Sequence, residues 1–122
     1  MEESRSKRGV CAPIALFVYD RPEHTRRTLE ALEANALASK SSLTVFCDGP
    51  RDSATVEDRE RIARVREIVE SRDWCGAVSV VERGSNIGLA DSIRSGVDQI
   101  LRDNDCIIVI EDDIETSPGF LT

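Results

Sequence analysis

Histidine is nearly absent from this chain: His24 is the only one in 122 residues. One imidazole beside an early turn supports neither a Ser/His/Asp nor a Cys/His relay. The four cysteines, Cys11, Cys47, Cys75 and Cys106, lie far apart and form no CxxC pair, which excludes a structural zinc site. Aromatic residues make up only 4%, too few for base-stacking platforms. With a net charge of -7, a broad surface for nucleic-acid phosphates is also disfavoured. No apolar run is long enough to span a membrane, and the opening MEESRSKRGV has no signal-peptide core. Together these absences predict a reduced, cytoplasmic setting. There is no GxGxxG fingerprint, no P-loop lysine motif, no internal repeat and no low-complexity segment.

What remains is a chain 40% apolar and 32% charged, enough for one ordinary domain with a real core. Residues 1–11 read as a flexible polar arm, and 12–122 as the domain. Ile14 to Tyr19 is a continuous apolar run, as expected for a strand covered on both faces. Pro22 then suits the first turn of a helix carrying Leu29, Leu32 and Ala36. Leu43 to Cys47 is a second strand, closed by the turn signal Asp48-Gly49-Pro50. A charged helix follows from about Thr55 to Arg72, with Ile62, Val65 and Val69 as its apolar stripe. Glu57 with Arg61 and Glu60 with Arg64 add roughly a few tenths of a kcal/mol each, and their alternating signs mark a solvated face. Ala77 to Val81 is a third strand. The loop Arg83 to Gly88 leads into a helix with Ala90, Ile93, Val97 and Ile100 along one side. Cys106 to Ile110 is the fourth strand; Cys47 and Cys106 sit in apolar runs, where a thiol acts as a small buried hydrophobe. Ser117-Pro118 reads as a further helix start. Strands alternating with helices predict an α/β, Rossmann-like, three-layer αβα fold with a mostly parallel sheet.

In such sheets ligands bind beyond the carboxyl ends of the strands. Those ends carry Asp20-Arg21, Asp48-Gly49, Arg83 to Gly88, and Glu111-Asp112-Asp113, four polar segments aimed at one rim. The triplet is the most informative. Three adjacent carboxylates after an apolar strand repel one another unless a hard cation such as Mg²⁺ or Mn²⁺ sits among them, and that cation also accepts phosphate oxygens. Read as local structure alone, the same residues are an acidic strand end, a helix cap and two turns.

VYDRP, FCDG and IVIEDDIETSPGF, in this order, resemble the nucleotide-sugar domain of GT-A glycosyltransferases. The last segment is similar to N-acetylglucosaminyltransferases in which an EDD triplet replaces DxD. The resemblance spans about residues 12–122. It implies a UDP-sugar donor and Mn²⁺, or Mg²⁺, with Asp113 as the metal ligand and Asp112 beside the metal and the ribose or donor sugar. It implies further that Glu111 pairs with Arg21, that Asp20 and Arg21 flank the nucleoside, that Asp48 accepts from the uracil ring, and that Asn86 and Arg94 lie on the phosphate side.

In that family the catalytic base and acceptor site follow the EDD segment, whereas here the chain ends nine residues after Asp113. The expectation is therefore a donor domain, incomplete at its C-terminus, that binds nucleotide and transfers sugar poorly or not at all, and that self-associates through apolar surface left open. A non-catalytic nucleotide-binding subunit or sensor is the alternative. A receiver-type signalling domain ranks lower, because its acid pair follows the first strand.

Overall fold

The computed structural model describes residues 12–114, 116 and 121. The expected N-terminal arm, Cys11 and the Ser117-Pro118 helix start lie outside them. The elements are β1 (Ile14–Val18), α1 (Pro22–Glu33), a 3-10 turn (Ala38–Lys40), β2 (Ser42–Cys47), α2 (Val56–Glu70), β3 (Ala77–Glu82), α3 (Leu89–Leu101) and β4 (Ile108–Glu111). All strands are parallel, in the order β3-β2-β1-β4. This is the Rossmann order; receiver-type sheets run 2-1-3-4-5 and are excluded by it.

β1 and most of β2 are buried on both faces, which explains their unbroken apolar sequence. Alternation divides their side chains between two cores. Ile14, Leu16, Val18, Leu43, Val45, Cys47 and Ile110 face α1 and α2, meeting Leu29, Leu32, Val65 and Val69. Ala15, Phe17 and Phe46 face α3, where the two phenyl rings stack with centroids 5.0 Å apart.

Three sequence expectations shift. The Thr55 side chain caps α2 in a reciprocal box with Asp58, and Arg61 pairs with Asp58 rather than with Glu57. β4 begins two residues later than its apolar run, so Cys106 is exposed ahead of it, while Cys47 is buried as expected. The buried face of α3 is Ser92, Gly96 and Ile100; Ala90 is exposed, and Ile93 and Val97 are only partly covered. Small residues carry that face because the helix lies close to the sheet: a Cβ on Gly96 would stand 2.8 Å from the Phe17 ring.

Among the described residues no helix is long and apolar enough to cross a membrane. The exposed apolar side chains include Leu101, Val109 and Ile114, on or next to the last helix and the edge strand β4.

Candidate functional site

The strand order reverses between β1 and β4, so a crevice opens beyond their carboxyl ends. A cavity of about 160 Å³ lies there, lined by residues that follow all four strands: Tyr19, Asp20 and Arg21; Asp48 and Arg51; Asn86 and Gly88; Glu111 and Asp112. Phe17, Val18, Leu89 and Ser92 complete it. Four carboxylates face two guanidinium groups in this lining, so an anionic ligand needs an additional cation.

Asp48 is the anchor of the far wall. Its residue is 5% exposed, and its carboxylate accepts backbone N–H bonds from Gly49 (2.8 Å) and Ile87 (3.0 Å) at Oδ1 and from Gly88 (3.1 Å) at Oδ2. Asn86 Nδ2 adds a bond to the Gly49 carbonyl at 3.1 Å. The two loops approach so closely that a Cβ on Gly49 would fall 2.6 Å from the Arg83 carbonyl oxygen and the Ser85 nitrogen. Gly88, with φ +85°, turns the chain into α3 through backbone space that L side chains rarely adopt. Arg66 of α2 ties the same loops from outside, its Nη2 donating to the carbonyls of Asp48 (3.2 Å) and Arg83 (2.9 Å).

Asp112 anchors the near wall. Arg21 reaches it at 3.0 Å, across the switch point between β1 and β4. This corrects the expected Arg21–Glu111 pair. Glu111 is still in β4, in register with Phe17 on the α3 face; the chain turns at Asp112, which meets the α1 side where Arg21 stands. The Thr28 hydroxyl of α1 donates to the Asp112 carbonyl at 2.8 Å, fixing the acidic turn from below. Thr28→Val keeps the shape, strands that buried carbonyl and is expected to cost about 1–3 kcal/mol in urea unfolding.

Burial pushes the Asp112 carboxyl above its ordinary value of 3.8; Arg21 opposes this, while Asp113 and Asp20 add to it. A raised folded-state value means that the stability this group contributes is full below pH 3.8 and is lost as pH rises through the raised value. Asp112→Asn is therefore expected to flatten that part of the stability–pH curve. Unfolding midpoints from pH 3 to 7, roughly spanning the carboxylate range, check this; parallel curves for variant and wild type would contradict it.

Of the residues expected at the site, the cavity gathers Asp20, Arg21, Asp48, Asn86, Glu111 and Asp112. Asp113 is exposed on the turn outside the lining. Arg94, expected on the phosphate side, is not among the lining residues: it is exposed in the second turn of α3 and pairs with Asp91 at 2.6 Å. His24, as expected of a first-turn residue, is exposed. Sequence reading missed Arg51, Thr28, Arg66 and Ser92. Only Ser92 left a signal, a small residue four before Gly96 on one helix face.

No family model matches this chain, and no curated protein matches it either.

Proposed function

We propose that this domain binds a nucleotide-diphospho-sugar, a UDP-sugar by the resemblance, with a divalent cation, as the donor domain of a GT-A glycosyltransferase. The observation that carries the reading is the convergence of residues from all four strand ends on one cavity at the switch point of a Rossmann-ordered sheet. Its volume, about 160 Å³, is below the roughly 300–1,000 Å³ of pockets that engulf a whole drug-sized ligand. It suits the nucleoside, with the diphosphate lying over the exposed rim.

The donor set fits Mn²⁺ or Mg²⁺ in a limited way. Among the described residues no three His, Cys, Asp or Glu side chains are grouped to hold an ion alone. Asp113, outward on the acidic turn, and its neighbour Asp112 offer one or two carboxylates, and phosphate oxygens and water would complete the shell, the usual arrangement for Mg²⁺. When bound, such a cation offsets the charge growing on a leaving diphosphate. Arg21, half-exposed and held by Asp112, presents its remaining N–H groups at the same rim. Asp48 keeps an Oδ2 lone pair free for a ring N–H.

Calorimetry of UDP with and without Mn²⁺ tests the reading. The expected result is binding that requires Mn²⁺ and weakens at least about tenfold in Asp113→Ala, the effect of losing roughly 1.4 kcal/mol. Equal binding with and without Mn²⁺, or an unchanged Asp113→Ala, would remove the metal assignment; no binding at all would remove the donor-site reading.

A further inference from the structure

The buried stripe of α3 runs one residue per turn through Ile100, Gly96 and Ser92. Ile100 packs with Ala15, Phe17 and Phe46, and Gly96 abuts the two phenyl rings. At the next step, where the helix reaches the carboxyl edge of the sheet, the stripe carries a hydroxyl in place of another apolar group. Ser92 is 2% exposed and lines the cavity, and its Oγ has no hydrogen-bond partner. Its own N–H bonds the Gly88 carbonyl at 2.9 Å, but the side chain makes no bond back to the helix. A hydroxyl withdrawn from water without a partner is unfavourable, and buried polar groups nearly all find one. Alanine would continue the stripe without that penalty and with better helix propensity. A buried, unpaired hydroxyl on the wall of a ligand cavity is suited to a bond that the ligand completes.

The surrounding charges restrict which part of a ligand that is. Asp48 bonds Gly88, one turn before Ser92, and Glu111 is on the α3 side of the sheet. A phosphate beside Ser92 would meet both carboxylates, whereas Arg21 and the Asp112-Asp113 turn lie toward α1. We infer that the Ser92 hydroxyl hydrogen-bonds the neutral nucleoside portion of the nucleotide, a base edge or ribose hydroxyl, and is a specificity-determining residue of the site. This rests on the nucleotide reading of the cavity.

The test compares wild type and Ser92→Ala for binding of uridine by NMR titration and of UDP with Mn²⁺ by calorimetry. The expected result is a similar loss for both ligands, roughly tenfold for one buried hydrogen bond, with a melting temperature no lower than wild type. Unchanged affinity for both ligands, or a loss for UDP alone, would overturn the inference, the second because it would place phosphate at Ser92. If wild type bound neither ligand, the nucleotide reading would fail and take this inference with it.

Discussion

Asp48→Ala is expected to destabilise the protein by about 3 kcal/mol and to weaken UDP binding at least about tenfold, the largest effect of any single change at the site. The carboxylate receives three backbone N–H groups, from Gly49, Ile87 and Gly88, and it is buried. Bonds to a charged acceptor contribute about 1.5–3 kcal/mol each. They do not add fully here, because Ile87 and Gly88 are partly exposed and water can replace some of the loss. Alanine also frees the loop that forms the far wall, since its other ties are single bonds: the Asn86 side chain to the Gly49 carbonyl, the Asn86 N–H to the Pro50 carbonyl, and Arg66 to the Asp48 and Arg83 carbonyls. Asp48→Asn separates charge from shape. It keeps one acceptor oxygen but sets an NH₂ group against a backbone donor, so an intermediate loss is expected. Urea unfolding followed by the one tryptophan, Trp74, which is buried, gives the stability term. Calorimetry below the unfolding transition gives the binding term. Wild-type stability in Asp48→Ala would show that the loop does not depend on this carboxylate.

What the sequence reveals, and what it hides, follows from how local each cause is. β1 and β2 are visible because strands covered on both faces must be apolar throughout, as Ile14–Val18 is. Turn signals at Asp48-Gly49-Pro50 and Gly88 are visible because close approach and positive φ demand glycine. The convergence of four polar strand ends follows from the alternation of elements alone, since parallel strands put every carboxyl end on one edge. The partner of Arg21 was not visible. It depends on where β4 stops, and a shift of one residue exchanges Glu111 on the α3 face for Asp112 on the α1 side. On α3 the apolar spacing of Ala90, Ile93, Val97 and Ile100 picks out Ile100, which is buried, and Ile93, which packs against the core. It also includes the exposed Ala90 and passes over Ser92 and Gly96. Close approach to the Phe17 and Phe46 rings selects glycine at position 96, and Ser92 is buried one turn before it. Arg66 and Thr28 act across 17 and 84 residues of sequence, and no local pattern marks them.

The second large effect lies at the opposite edge of the sheet. Trp74 stands just before β3, at the amino end, while every cavity residue is at the carboxyl end. In a chain so poor in aromatics, a lone tryptophan could be taken for a ligand platform; its burial at 2% exposure, away from the cavity, makes it a core residue instead. Its indole N–H donates at 3.0 Å to the Val69 carbonyl, one of those left without a helical partner at the end of α2. Arg72 lies over the ring at 4.3 Å and approaches Glu30 and Glu33, so the same side chain links the end of α2 to α1. Trp74→Ala therefore removes a large buried ring, a buried hydrogen bond and the surface on which Arg72 rests. The expected cost is about 3–5 kcal/mol, a large share of the roughly 5–15 kcal/mol that holds a domain together. Trp74→Phe retains most of the volume and loses the N–H, so a smaller cost of about 1–2 kcal/mol is expected. Circular dichroism in a urea series measures both, since the fluorophore is gone. The opposite placement supplies the sharper expectation: under conditions where Trp74→Ala is fully folded, its UDP affinity should equal that of wild type, whereas Asp48→Ala loses affinity even when folded. Equal binding losses in the two variants would mean that the carboxyl rim is not an independent unit of the fold.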